Sequence, residues 1–214
     1  NSQKKIFIML SGGALGFLFY IYFFAWTFSL AITVALLIGY LIKKDFVLAK
    51  RVSMVLGVGI LLGTYNLFRI FSFVNSPAAQ KFSFFSLLVY TRSLIFSKIG
   101  FATLVLFIIF VYKRRQDKNI PFIISLIVAG WIALNQQIIT GKLMQYGHYY
   151  WFFIVPASVV VGFYMFWTLL AGERWRVVVF SAIIAVIFLN TAVGQYRSAL
   201  VTIDFKIYEQ NYRP

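Results

Sequence analysis

An uncharged run from Ile6 to Ile42 constrains the fold of this chain more than any other feature of its sequence. The run has 37 residues, whereas a helix needs only about 20 apolar residues to cross the roughly 30 Å of bilayer hydrocarbon. The chain is 62% hydrophobic and 12% charged, against about 25% charged in an average soluble domain. A soluble globule of this size has too little interior to bury so much apolar surface. The sequence therefore predicts an all-α, polytopic membrane protein.

The apolar runs predict about seven transmembrane helices. Because the first run is too long for one ordinary span, we expect it to form a helical hairpin that turns near residues 25–27. The predicted spans cover residues 6–24, 27–42, 52–68, 93–112, 120–139, 151–171 and 177–194. They form one transmembrane domain, 1–197, and residues 198–214 are an extracytoplasmic tail or the start of a further domain.

The basic residues predict the orientation of these spans. The formal net charge is +15, and twelve bases fall in short clusters on one side of the predicted membrane, against eight spread over longer segments on the other. The clustered bases are Lys4, Lys5, Lys43, Lys44, Lys50, Arg51, Lys113, Arg114, Arg115, Lys118, Arg174 and Arg176. By the positive-inside rule the N-terminus lies inside and the C-terminus outside. Bases placed between apolar runs indicate lipid headgroups as partners and no nucleic acid.

The first long outer loop offers one candidate phosphate ligand. Arg92 lies between Thr91 and Ser93, and its planar guanidinium could clamp a phosphate while the two hydroxyls donate further hydrogen bonds. The alternative is an interfacial arginine whose side chain extends to lipid headgroups.

The second outer loop is the densest polar stretch of the chain. Consecutive amides at the end of a span are costly unless they hydrogen-bond or line a wet cavity. A lysine and the only histidine follow in the same loop, so the stretch predicts a cradle for a phosphate or for sugar hydroxyls. The candidate binding residues here are Asn135, Gln136, Gln137, Lys142, Gln145, His148 and Tyr149. The alternative is a structural re-entrant loop.

Signatures of self-contained catalysis are missing from the sequence. The chain has no glycine-rich phosphate loop and no paired carboxylates, and its single histidine cannot form a metal site alone. We identify no catalytic residue, no metal ligand and no cofactor, and a divalent metal would require carboxylates upstream of Asn1. The chain does not begin with Met and ends at Pro214, which favours a fragment of a longer protein.

Two stretches carry a resemblance to a known class of proteins. They are residues 16–27, GFLFYIYFFAWT, and residues 134–142, LNQQIITGK, the latter continued by Gln145 and by GHYYW at 147–151. Both resemble the C-terminal halves of uncharacterised bacterial polytopic proteins that are similar to GT-C-type glycosyltransferases. The resemblance extends loosely over most of the chain and is specific only in these stretches.

The resemblance implies sugar transfer from a polyprenyl-phosphate-linked donor on the outer face of the bacterial cytoplasmic membrane. In that superfamily the catalytic carboxylate usually lies in the first outer loop of the full protein. The first hairpin turn here, residues 25–29, has no Asp or Glu, so the catalytic half is expected to precede Asn1. Arg92, Lys142 and His148 would bind the donor phosphate, and the three amides would bind the sugar or the loop backbone.

Two other functions compete with the transferase. One is a transporter or flippase subunit for lipid-linked or anionic substrates, which would need a polar path, although Tyr65, Asn66, Gln136 and Asn190 are scattered. The other is a structural membrane subunit without catalysis that holds other subunits. Small residues would favour such packing, since Gly12 and Gly16 have GxxxG spacing, and Gly57, Gly59 and Gly63 line one predicted helix.

Overall fold

The computed structural model describes residues 2–74, 76–77, 79, 89–143, 146–172 and 174–212. Within these residues the chain is helical apart from turns, one extended segment and a two-stranded ribbon. The elements are α1 (Ser2–Ile21), α2 (Phe23–Ile42), α3 (Phe46–Val74), β1 (Val89–Tyr90), α4 (Lys98–Arg114), α5 (Ile120–Leu134), α6 (Gln137–Thr140), β2 (Lys142–Leu143), α7 (Tyr146–Tyr149), a π-helical turn (Tyr150–Ile154), α8 (Val155–Leu169) and α9 (Arg176–Tyr212).

Five helical segments are long and apolar enough to cross a membrane: Phe23–Ile42, Phe46–Phe73, Ile120–Thr140, Tyr146–Leu169 and Arg176–Ile203. Large apolar side chains are exposed along them, for example Leu61, Val160 and Phe188, as expected where lipid is the solvent. The all-α, membrane-embedded fold class is therefore confirmed. The apolar part of α1, Lys5–Ile21, is shorter, and α4 has 17 residues.

The first hairpin turns at Tyr22, three residues before the predicted turn. The Tyr22 backbone is extended, with φ −149° and ψ 119°, between two helices that contain no proline. The turn is thus a single residue, and only Tyr22 separates the end of α1 from the start of α2.

Glycines let α1 and α3 approach closely. A Cβ added at Gly12 would lie 2.6 Å from the Val58 Cβ, and one added at Gly16 would lie 2.6 Å from the Leu62 Cβ. The side chains of Leu15 and Phe19 fill the reciprocal positions over Gly59 and Gly63. Each glycine therefore lies under a larger side chain of the opposite helix inside the chain, in the close packing that GxxxG spacing permits.

The later helices pack around two apolar clusters. α2 packs on α5, and α4 packs on α8. One cluster joins α2, α5 and the α7 region, and its buried residues are Phe24, Phe28, Ala129, Ala133, Leu134, Tyr149 and Ile154. The other joins α4, α5 and α8 through Phe107, Phe110, Ile123, Ile127, Val161 and Met165. These contacts hold the connections at each end of the helices in fixed positions.

Helix termini follow ordinary capping rules. The Ser97 Oγ accepts from the Gly100 backbone N–H at 3.0 Å and begins α4, five residues after the start of the predicted span. The Asp45 Oδ1 accepts from the Leu48 N–H at 3.0 Å at the start of α3, and a proline stands in the first turn of α5. The Ser97 and Asp45 side chains each accept from a first-turn N–H group that lacks a helical partner, and the proline removes one such group.

The chain divides into two compact units, residues 1–169 and 170–214, and the domain boundary at residue 197 stays a prediction. The second unit is built on α9, a single helix of 37 residues. The polar stretch from residue 198 continues this helix as far as Tyr212.

Candidate functional site

Three connections meet at one end of the first unit. They are the turn at Tyr22, the extended segment 91–97 and the polar loop 135–150. Hydrogen bonds join the loop to the other two connections, as Tyr22 contacts His148 and Arg92 reaches Ile138. We call this group of three connections the loop face.

A short ribbon fixes the two cationic side chains of the loop face. β1 and β2 are antiparallel, with Val89 opposite Leu143 and Tyr90 opposite Lys142. The Thr91 N–H donates to the Gly141 carbonyl at 3.2 Å and continues the pairing. Arg92 follows Thr91, two residues beyond the residue that lies opposite Lys142, and both cationic side chains are exposed.

The Arg92 guanidinium lies against the turn that precedes β2. Its Nη1 donates to the Ile138 carbonyl at 3.1 Å, while Nη2 and Nε lie 3.7 and 3.9 Å from the position of a Cβ on Gly141. Gly141 ends α6 with φ 70°, a left-handed conformation that favours glycine. The turn thus positions the guanidinium, and among the described residues its protein acceptor is the Ile138 carbonyl.

The buried amides hold the extended segment in place. Asn135 Oδ1 accepts from the Ile95 N–H at 2.8 Å, and its Nδ2 donates to the Ile95 carbonyl at 3.2 Å. Gln137 Nε2 donates to the Ser93 carbonyl at 2.9 Å. These two side chains therefore supply hydrogen-bond partners to the backbone of segment 91–97 at Ser93 and at the half-buried Ile95.

The third amide side chain, that of Gln136, hydrogen-bonds within its own loop. Gln136 Nε2 donates to the Lys142 carbonyl at 3.0 Å, and the Thr140 Oγ1 donates to the same carbonyl at 3.1 Å. All three amides thus contact backbone, which was one of the two roles predicted for them. Gln137 is fully buried, and its Oε1 has no partner among the described residues.

Aromatic rings surround the single histidine. The Tyr22 hydroxyl is hydrogen-bonded to His148 Nδ1. The ring of Phe24 stacks obliquely on the imidazole at a centroid distance of 4.8 Å, and Phe152 packs edge-on at 5.7 Å. His148 remains partly exposed, so its second ring nitrogen is the one left for a ligand.

Tyr149 anchors the same short helix in the core. Its ring is 4% exposed and meets Phe24 edge-on at 4.8 Å. Its hydroxyl shares a hydrogen bond of 2.7 Å with the Thr27 Oγ1. A side chain buried this deeply supports the position of His148 rather than presenting its own face to a ligand.

The structure brings most of the predicted residues together in two groups. Lys142 lies in the ribbon and Arg92 two residues beyond it, and His148 and Tyr149 lie on α7 against the start of α2. Gln145 lies outside the described residues. Sequence analysis missed Tyr22 and Thr27 as partners of α7, although both fall in the aromatic stretch 16–27 that carried the resemblance.

Carboxylates are distant from this end of the molecule. Of the described residues in the first unit, Asp45 and Asp117 stand in turns at the opposite helix ends. The part of the chain that the structure describes contains no group of three or more His, Cys, Asp or Glu residues that could hold a metal. The loop face therefore offers cations, an imidazole and hydroxyls, which are groups that bind anions.

No family model, curated protein or solved structure matches this chain. What the loop face can do follows from its own residues.

Proposed function

We propose that this chain is the membrane-embedded part of a GT-C-like glycosyltransferase, which transfers a sugar from a lipid-phosphate donor at the outer face of a bacterial cytoplasmic membrane. The observation that carries the proposal is the pairing of β1 with β2. It places Lys142 opposite Tyr90, two residues before Arg92, and both cationic side chains are exposed at the end of membrane-length helices. The phosphate of a lipid-linked donor lies at that depth of a bilayer.

The two cations complement a phosphate in different ways. Arg92 donates one N–H to the Ile138 carbonyl, and its other N–H groups can make a forked contact with phosphate oxygens. Lys142 adds a mobile point charge, while its backbone is fixed by the ribbon and by Thr140. The positioned Arg92 and the mobile Lys142 can together bind the phosphate of a diester or a monoester, whichever sugar it carries.

His148 is the group best placed to contact the sugar or the bridging oxygen. Tyr22 occupies its Nδ1, so only Nε2 can donate to or accept from a substrate. The Phe24 and Phe152 rings hold the imidazole plane, and such aromatic surfaces also stack on the apolar faces of sugars.

An apolar groove beside the loop face offers room for the lipid chain of the donor. The groove has a volume of about 460 Å³ and lies between α2 and α5, extending from Thr27 to Ile42. Thr27 is also the hydrogen-bond partner of Tyr149, so the groove begins next to α7. A polyprenyl chain in this groove would place its phosphate toward the loop face.

The residues that favoured a transporter or a structural subunit make contacts within the chain. Asn66 and Gln136, which a transport path would need, donate to the backbone carbonyls of Phe19 and Lys142. The α1 and α3 glycines, which a structural subunit could use for partners, are covered by side chains of the opposite helix within the chain.

The transferase requires a general base from elsewhere, since the loop face has no carboxylate among its described residues. We therefore assign binding, not proton abstraction, to this chain. The test is sugar transfer from polyprenyl-phosphate sugars by the full-length gene product in membranes. Lys142→Gln and His148→Gln should each lower the rate at least about tenfold, and Lys98→Gln, an exposed lysine outside the ribbon, should not.

Wild-type rates in both loop variants would refute the site, and absence of transfer from any polyprenyl-phosphate sugar would refute the reaction. Thermal unfolding of each purified variant separates a lost contact from a lost fold.

We further infer seven spans, with the N-terminus inside. Close packing of α1 along α3 supports a transmembrane α1 despite its short apolar stretch. Because the chain has no cysteine, single cysteines can report topology directly. A membrane-impermeant maleimide should label Ile139→Cys in intact cells and Gln116→Cys only after permeabilisation. The reverse pattern would invert the orientation.

A further inference from the structure

A basic cleft lies at the end of the first unit opposite the loop face. It has a volume of about 430 Å³ and is open to the surface. The residues that line it are Lys113, Arg114, Arg115, Gln116, Asp117 and Thr168. Three cations and one carboxylate give the lining a formal net charge of +2.

The central cation is held in place by a neighbouring helix. Arg114 Nη2 donates to the Thr168 carbonyl at 3.1 Å, close to the C-terminus of α8. This bond uses one of the five N–H groups of the guanidinium. Lys113 and Arg115 flank it with exposed side chains, so the three cations border one concave surface.

The single carboxylate already has partners on both oxygens. Asp117 Oδ1 accepts from the Asn119 N–H at 2.8 Å, and Oδ2 accepts from the Tyr164 hydroxyl at 2.8 Å. The Asn119 amide also donates to the Tyr164 oxygen at 2.7 Å. Asp117 therefore serves the α4–α5 turn, and no ion pair with the three cations is present among the described residues.

The cleft stands where the apolar helices end. α4 ends at Arg114, α8 ends at Leu169 and α5 begins at Ile120, so its lining lies at the boundary between hydrocarbon and water. Phospholipid phosphates occupy that layer, and basic pockets between helices at this depth bind anionic headgroups.

We propose that this cleft is a binding site for the phosphate of an anionic phospholipid. The Arg114 guanidinium, which the Thr168 carbonyl holds in position, donates hydrogen bonds to the phosphate oxygens. Lys113 and Arg115 neutralise the remaining charge. The site is separate from the loop face and does not depend on the transferase function. It would tie the lipid composition of one leaflet to the packing of α4 on α8.

The test compares two variants that each remove two positive charges from the same end of the molecule. Lys113→Gln/Arg115→Gln changes the cleft and leaves the Arg114 bond to Thr168 intact, which protects the fold. Lys43→Gln/Lys50→Gln changes exposed bases at the α2–α3 turn and the start of α3. Native mass spectrometry of the protein from mixed phosphatidylglycerol and phosphatidylcholine nanodiscs counts the retained lipids.

We expect the wild-type protein and the Lys43/Lys50 variant to retain phosphatidylglycerol in preference to phosphatidylcholine. The cleft variant should lose that preference by about tenfold. Equal loss in both variants, or no preference in the wild type, would overturn the proposal by reducing it to general surface charge. Competition by inorganic phosphate as effective as that by the lipid would replace the lipid with a free anion and also overturn it.

Discussion

Substituting Gly12 by alanine should weaken the packing of α1 on α3. The new Cβ would lie 2.6 Å from the Val58 Cβ, 2.8 Å from its Cγ1 and 3.1 Å from the Val55 carbonyl oxygen. A Cβ cannot rotate away, so the two helices must separate by roughly 0.8 Å to restore an ordinary contact of 3.4 Å. Overpacking of this kind costs about 1–3 kcal/mol.

Gly13 provides a matched control one residue away. A Cβ at Gly13 meets nothing within 4 Å, while both substitutions gain the same helix propensity of about 1 kcal/mol. The difference between Gly12→Ala and Gly13→Ala therefore isolates the contact with Val58. We expect Gly12→Ala to be the less stable of the two by about 1–3 kcal/mol.

The assay is unfolding of the purified protein in mixed micelles, with SDS as the denaturant and tryptophan fluorescence as the signal. Adding Val58→Gly to Gly12→Ala removes the opposing Cβ and should recover part of the loss. Equal midpoints for Gly12→Ala and Gly13→Ala would refute the close α1–α3 approach.

Three further predictions test the loop face by the same unfolding assay. Asn135→Ala removes the amide that holds the extended segment and should destabilise the protein by about 1–3 kcal/mol, because buried backbone groups lose their partner; an unchanged midpoint would contradict the contact. Thr27→Val and Tyr149→Phe break one shared hydrogen bond, so their effects should be non-additive by about 0.5–1.5 kcal/mol in a double-mutant cycle, and additive effects would show that the bond is absent. Gly141→Ala forces a Cβ into φ 70° and should cost about 1–2 kcal/mol, whereas helical Gly162→Ala, with nothing within 4 Å, should not destabilise.

The helical membrane fold could be predicted because it depends on composition and run length alone. Runs such as 27–42 and 120–139 have one structural solution in lipid, since only a helix satisfies every backbone group within its own segment. The exact turn at Tyr22 could not be predicted, because no glycine or proline marks it. It depends on contacts with His148, which is distant in sequence.

The hydrogen-bond partners of single side chains in the polar loop could not be predicted from the sequence either. The run Asn135–Gln137 indicated a need for hydrogen bonds, but no pattern in the sequence identified the partner segment or its register. The partner proved to be backbone at Ser93 and Ile95, within a region predicted as the start of a span. Extended backbone lying beside a helix end needs side-chain amides, and that need is visible only after the two segments are brought together.

The ribbon was not expected from an all-helical pattern. Its strands have two residues each, too few for alternation to be recognised. Yet it places Lys142 opposite Tyr90, two residues before Arg92, which no spacing rule could establish across about 50 residues of chain.

Binding of undecaprenyl phosphate tests the central claim most directly, because it does not require the sugar or the acceptor to be known. Native mass spectrometry would compare the wild-type protein, Arg92→Gln/Lys142→Gln and the control Lys98→Gln. The account predicts retention by the wild type and the control, and loss of at least about tenfold in the ribbon variant. Equal retention by all three proteins would contradict a lipid-phosphate site on the ribbon.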